Sequence, residues 1–257
     1  MSDELVHLDL VGGVATITLD APHNRNALSR RLSSDLARQI DAALAEPRAR
    51  VIVLTGNGPA FCAGADLKEQ RAGNEAGAAQ APPLDAIVTA LWNAPKPIVG
   101  RINGPARAGG LGLVAACDIA VAEASTTFAI TEVRLGLAPA MVSVVLLPKL
   151  GLTRALDLML TGEPFDARAA AAYGLLTAAA PDGDLDAVVG RYVAALLKGG
   201  PLALAATKRI IREVPALPME EAFRRMSALS TQFFGSEEGL EGMRAFAEKR
   251  PPRWAAE

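Results

Sequence analysis

The sequence is poor in the residues that build metal sites and cross-links. Of 257 residues, two are cysteine (Cys62, Cys117) and two are histidine (His7, His23). Two cysteines make no disulfide framework, and a reducing, cytoplasmic setting fits them. Thiols are usually buried and inert, so Cys62 is read as a small packed residue rather than a nucleophile. Two histidines alone cannot build a familiar zinc site, so no metal is expected. His7 alternates with Val6 and Leu8 in a strand pattern and is read as a surface residue. Neither sign of charge is in excess: 26 basic residues face 28 acidic ones, for a net charge of −2. No positive field for nucleic acid follows, although a local basic cluster would serve a ligand with a few phosphates. No run of about 20 apolar residues occurs. The longest apolar stretch, near Met141–Leu147, is too short and meets Pro148, so no membrane span is expected. The opening Met1-Ser2-Asp3-Glu4 is acidic, without the pattern of a signal peptide.

What is present is apolar residue in quantity and periodic order. Hydrophobic residues make up 51% of the chain. That is enough for a sizeable core in one large domain, or one domain with a helical appendage. Val6, Leu8 and Leu10 alternate, Gly12-Gly13 turns the chain, and Val14 to Leu19 returns as a hairpin partner. Asn26 to Ser29 introduces a helix. Leu28, Leu32, Leu36, Ile40 and Leu44 then recur at every fourth position as an amphipathic stripe that Pro47 ends. Val51 to Thr55 reads as a buried strand closed by Gly56-Asn57-Gly58-Pro59. Residues 71–83 are rich in Ala, Gly, Gln and Pro and read as a mobile loop over a site, with a solvated helix as the alternative. Ile87 to Trp92 resumes a helix, and Pro97 to Ile102 is the next strand. Ile119–Ala122 and Thr127–Ala129 look like a third layer. From residue 140 onward Ala/Leu-rich helical patterns dominate, interrupted by one strand-like piece, Leu175–Ala178.

Two glycine-bearing loops punctuate this alternation. The first is Phe61-Cys62-Ala63-Gly64-Ala65-Asp66-Leu67-Lys68. The second runs from Asn103-Gly104-Pro105-Ala106-Arg107-Ala108-Gly109-Gly110-Leu111-Gly112 to Cys117-Asp118. Each follows a strand-like run and precedes a helix-like one. Small residues let the backbone approach a ligand closely, and the helix starts leave unpaired N–H groups in front of it. Two such termini converging on one carbonyl oxygen make an oxyanion hole. Glu132, in Phe128-Ala129-Ile130-Thr131-Glu132, supplies a carboxylate in apolar company, which raises its pKa toward a proton shuttle's range. The alternatives are two ordinary tight turns and a glutamate that merely suits a helix dipole.

These loops, with Asn24-Arg25-Asn26-Ala27-Leu28 and the terminal Ala245-Phe246-Ala247-Glu248-Lys249-Arg250, resemble the crotonase superfamily of enoyl-CoA hydratases and isomerases. The resemblance covers nearly the whole chain. It implies an α/β fold: a spiral of repeated ββα units over residues 1–195, then a helical trimerisation region over 196–257. It implies that Ala63 and Gly109 donate the oxyanion-hole N–H groups and that Glu132 is catalytic. Ala27, Gly64, Ala65, Asp66 and Leu67 would border the thioester. Arg25, Phe246 and Lys249 would hold coenzyme A, the last two from a neighbouring subunit or the same one. Coenzyme A is then part of the substrate, and no separate cofactor is needed. A homotrimer or a dimer of trimers is the implied assembly.

The chain departs from the family at one position. Two-glutamate hydratases carry their first carboxylate where this chain has Gly112, which would leave room for a bulky or branched acyl group. Hydration of a 2-enoyl-CoA is the leading expectation, because the loop and Glu132 segments are similar to bacterial methylglutaconyl-CoA hydratases. An isomerase using one glutamate and a catalytically weak acyl-CoA-binding protein are the alternatives. Asp66 is read as the cap of the following helix and Glu69 as a solvated carboxylate. Arg107 has three possible uses: solvent, an acid partner, or a substrate carboxylate. Arg134 is read as half of a structural ion pair.

Overall fold

In a computed structural model the described residues are 4–72 and 82–255. Strands β1 (Val6–Val11) and β2 (Val14–Leu19) form the expected antiparallel hairpin. Helix α1 (Arg30–Ala45) begins at Ser29, whose Oγ accepts from the Leu32 N–H at 3.2 Å. Leu32, Leu36 and Ile40 of the stripe are fully buried. Leu28 stays outside the helix because its N–H is taken by Gly64 O at 2.7 Å. Strand β3 (Val51–Gly56) is buried along its whole length, as its unbroken apolar run requires. Helix α2 (Leu67–Ala72) follows the first glycine loop, and α3 (Leu84–Asn93) leads to β4 (Ile98–Ile102). The expected mobile loop at 71–83 lies for the most part outside the described residues.

Next come β5 (Ala106–Arg107), α4 (Gly109–Ala116), β6 (Ile119–Glu123) and β7 (Thr127–Ala129). Helix α5 (Ala140–Thr161) is broken at Gly151, where φ is 65° and ψ 173°. Then follow β8 (Phe165–Asp166), α6 (Ala167–Ala172), β9 (Ala178–Ala180), α7 (Leu185–Leu197), α8 (Pro201–Glu213), α9 (Met219–Phe234) and α10 (Glu237–Ala247).

The main sheet has the order β1-β2-β3-β4-β6-β9, and β5-β7-β8 form a second, smaller sheet. The expected third layer therefore divides. β6 extends the main sheet beside β4, while β7 belongs to the small sheet. The strand expected at Leu175–Ala178 starts only at Ala178. Leu175 and Leu176 are apolar because they are buried in a turn, where both N–H groups bond to Ala170 O.

The two-residue period of β3 divides the core. Ile52 and Leu54 face one apolar cluster with residues of α1, α3, α4 and α5. Val51 and Val53 face a second, formed with Val99, Val121 and the α7 residues Leu185, Val188 and Val189. Each fully buried Leu or Ile contributes roughly 1.5–3 kcal/mol, so both faces of the sheet are strongly held. The central strands β2, β3, β4 and β6 run parallel. Their carboxyl ends lead into the Asn24–Leu28 segment and the two glycine loops, the edge where open α/β sheets place ligands. The C-terminal helices are fixed elsewhere. Asp118 accepts from Ile98 N at 2.7 Å and pairs with Lys208 (2.6 Å) and Arg212 (2.8 Å) of α8. Beyond α10, the Trp254 carbonyl accepts from Arg50, at the opposite edge of the sheet, just before β3.

Candidate active site

The site is assembled by backbone pairing between the first loop, the second loop and the segment before Glu132. Cys62 O accepts from Arg107 N at 3.0 Å, and Ala129 O accepts from Ala108 N at 3.1 Å. The parallel pairing of β5 with β7 continues the second contact, setting Arg107 opposite Ala129. Three stretches distant in sequence are thus locked into one register.

The two glycine loops touch. Gly64 has φ +87°, a left-handed conformation that favours glycine. A Cβ there would lie 2.9 Å from Arg107 O, 3.0 Å from Ala108 Cβ and 3.2 Å from Gly109 N. Gly109 is the first residue of α4, and its N–H has no acceptor among the described residues. Leu28 and Leu84 flank it: a Cβ on Gly109 would be 3.3 and 3.2 Å from their methyl carbons.

The first-loop donor differs from the expectation. The Ala63 N–H is occupied, donating to Arg25 O at 3.0 Å. Gly64 then turns the chain. Its carbonyl accepts from Leu28 N, and Ala65 forms a parallel bridge with Leu28. In that bridge the N–H of Ala65 points away from the Leu28 segment. It has no acceptor among the described residues, and Ala65 is exposed. Ala63 is therefore a structural link to the Arg25 segment, and Ala65 carries the free N–H.

Glu132 opens a 3-10 turn, Glu132–Leu135, closed by Gly136 at φ 71°. Its Oε2 is buried and has no hydrogen-bond partner among the described residues. A buried carboxylate oxygen without a donor is costly, by about 1–3 kcal/mol or more for a charged group. Burial raises the Glu132 pKa, offset in part by its own N–H. The carboxyl thus holds its proton more readily than an ordinary glutamate, the direction that suits an acid–base group. Two residues on, Arg134 is turned outward. It donates to Thr161 O at 3.1 Å and pairs with Glu163, the structural ion pair anticipated from sequence.

Gly112 is not an open space. A Cβ there would sit 3.2 Å from Val142 Cγ1 and 3.5 Å from Val88 Cγ2. The room that the missing carboxylate would vacate is filled by an apolar wall from α3 and α5. Nothing in the sequence marked Val88, Val142 or Leu84, and Leu28 was marked as part of a helical stripe and of the Asn24–Leu28 segment, not as a neighbour of Gly109. Their apolar character suits ordinary core positions equally well.

The remaining candidates divide. Asp66 caps α2 as read, with Oδ1 accepting from Lys68 N (3.0 Å) and Glu69 N (3.3 Å). Leu67, the first residue of that helix, is exposed. Glu69 is not merely solvated: its Oε2 accepts from Arg30 N at 2.9 Å, capping α1 across the loop. Arg107 has a use outside the three anticipated ones. Its guanidinium donates to Ala106 O (2.9 Å), Thr127 O (2.6 Å) and Thr127 Oγ1 (2.8 Å). Arg25 is exposed and has no carboxylate partner among the described residues, while Ala27 is buried. Phe246 is 87% exposed, and no described hydrogen bond, ion pair or ring contact joins it or Lys249 to the loops. Cys62 and Cys117 are buried, which pushes both thiols up to about 12 and makes them inert. His7 is half-buried and bonded to Asp20 at 2.9 Å.

Comparison with known proteins places this geometry. The family model described as enoyl-CoA hydratase/isomerase matches residues 10–257. An enoyl-CoA hydratase of Mycobacterium tuberculosis is 35% identical over 95% of this chain and 93% of its own. A carnitinyl-CoA dehydratase of Shigella flexneri is 33% identical over 98% of each. Among solved structures, an enoyl-CoA hydratase from Shewanella pealeana superposes with a TM-score of 0.91 at 32% identity, covering 98% of this chain and 96% of its own. With the shared α/β architecture and nearly complete coverage, the chain belongs to the enoyl-CoA hydratase/isomerase family of the crotonase superfamily.

Proposed function

We propose that the protein is an enoyl-CoA hydratase whose oxyanion hole is formed by the N–H groups of Ala65 and Gly109 and whose acid–base residue is Glu132. The observation that carries the reading is the buried Glu132 Oε2, which, like the Gly109 N–H of the loop its segment is backbone-locked to, has no partner among the described residues. In this mechanism the thioester carbonyl accepts both N–H bonds. Glu132 takes a proton from water as the water oxygen bonds to C3 of the enoyl group. The C2–C3 π electrons move toward C1, and the thioester oxygen becomes negative. Glu132 then returns the proton to C2, so one carboxylate opens and closes the cycle. A preorganised donor to such an oxygen is typically worth about 10²–10³ in rate.

Arg25, exposed beside the first loop, suits the phosphates of coenzyme A. Phe246 and Lys249 would act on a neighbouring subunit's site, since their own segment is tied to the far edge of the sheet. The proposed assembly is a homotrimer or a dimer of trimers through residues 196–257. It is supported by exposed Phe223, Phe234 and Phe246, and by α8 and α9 having no fully buried residue. Apolar exposure on that scale marks an interaction surface. No cofactor enters the mechanism beyond the coenzyme A of the substrate.

The apolar wall at Gly112 favours a second reading, isomerisation by proton transfer through Glu132 alone. A branched substrate such as methylglutaconyl-CoA remains within the proposal, but Arg107 is engaged with Thr127 and gives it no support. Turnover of an enoyl-CoA panel, methylglutaconyl-CoA included, followed by mass spectrometry, separates these readings. A gain of one water supports hydration, and conversion without mass change supports isomerisation. Binding without conversion of any member of the panel would leave only the acyl-CoA-binding alternative.

A further inference from the structure

Arg107 sits where the three parts of the site meet. Its N–H bonds to the first loop at Cys62 O. Its side chain reaches the β7 segment at Thr127 O and Oγ1, five residues before Glu132. Its own carbonyl would lie 2.9 Å from a Cβ placed on Gly64. The next residue, Ala108, has φ 47° and ψ −121°. That conformation belongs to the first central residue of a type II′ turn and favours glycine. An alanine held there is strained, and strain persists only where the surroundings over-determine it. The Arg107 guanidinium has no carboxylate within ion-pair distance among the described residues, and all three of its bonds go to neutral oxygens. A half-buried cation spent on main-chain carbonyls points to a geometric role.

We propose that Arg107 is a positioning residue. Its clamp on Thr127 fixes the Ala108 turn and thereby aims the Gly109 N–H at the substrate carbonyl. It touches no reacting atom. Loss of the clamp lets the turn relax, and the donor that matters most as the oxygen gains charge drifts off line. The cost then falls on the transition state more than on ground-state binding. The proposal rests on the oxyanion-hole reading given above.

The test uses Arg107→Gln with two readouts. One is kinetic. We expect kcat to fall at least about 10-fold, with the roughly 10²–10³ cost of losing one hole donor outright as the upper bound, while KM moves by less than about 3-fold, since substrate contacts remain. The other is spectroscopic. Bound cinnamoyl-CoA absorbs at longer wavelength when its carbonyl is polarised by strong donors. We expect a red shift in the wild-type enzyme and a smaller one in the variant. If the wild type gives no shift, the oxyanion-hole reading falls and this proposal with it. If the wild type shifts and the variant keeps both the full shift and its kcat, only the Arg107 proposal is overturned. Should Arg107→Gln fail to fold, Thr127→Val removes one acceptor and leaves the carbonyl. It is measured in the same way, with a reduced shift supporting the clamp and an unchanged one refuting it.

Discussion

Replacing Glu132 by Gln keeps the size and shape of the side chain but removes its exchangeable charge. The structure sets two expectations of opposite sign. For catalysis, a positioned acid–base group contributes about 10²–10⁴-fold, which corresponds to roughly 3–5 kcal/mol of barrier. We expect kcat to fall within that range, with acyl-CoA binding nearly unchanged because both N–H donors remain. For stability the sign reverses. Burial raises the Glu132 pKa in the folded protein. Stability tied to the protonated form is then fully present below the unfolded value and is lost as pH rises through the folded one. At pH 7 the ionised group therefore works against folding, and glutamine, neutral at every pH, relieves it. The variant should melt higher than wild type at pH 7, and the gap should close toward about pH 4, where an unfolded carboxyl also protonates. The assays are loss of enoyl-thioester absorbance and thermal melts across pH. Wild-type turnover in the variant would remove Glu132 from the mechanism. A lower melting temperature at pH 7 would show that Oε2 has a donor in solution.

Three further substitutions probe the loops. Gly64→Ala should abolish activity, since its Cβ would meet Arg107 O at 2.9 Å on a backbone with φ +87°; preserved turnover in a folded variant would refute the loop contact. Ala108→Gly should relieve about 1–3 kcal/mol of strain, less about 0.4–1 kcal/mol for the freer unfolded chain. The net gain of about 1 kcal/mol should appear as a rise of about 2–4 °C in Tm, and a fall would show that alanine is at ease there. Gly112→Glu should not create an efficient two-carboxylate hydratase, because its Cβ already presses on Val142. We expect a loss of about 1–3 kcal/mol in stability from overpacking, read by denaturant titration, and improved hydration of short enoyl-CoAs would overturn the wall.

Much of the fold was legible because its signals are local. Leu32, Leu36 and Ile40 announce a helix by spacing, and Val51 to Leu54 announce a buried strand by continuity. The C-terminal strand was placed too early because Leu175 and Leu176 have apolar side chains for a turn, while Ala178–Ala180 has no side-chain mark of a strand. The site was legible in outline, since both loops and Glu132 carry their own pattern. Which N–H is free was not. Ala63 and Ala65 are the same residue type on either side of Gly64, and only the pairing with Arg25 and Leu28 tells them apart. The bonds that Glu69 and Arg107 make are hidden from the sequence for a related reason. Their partners, Arg30 N and Thr127 O, are main-chain groups that no sequence spacing reveals.

The donors proposed for the thioester oxygen are main-chain atoms, and this has an evolutionary consequence. A side chain can be changed into many others by mutation, but a peptide N–H is deleted only by proline. The hole is therefore buffered against most coding changes at Ala65, whose side chain is exposed. Variation there reshapes what the substrate touches while leaving the charge-stabilising apparatus in place. A lineage with this architecture can try new acyl groups without first surrendering its chemistry.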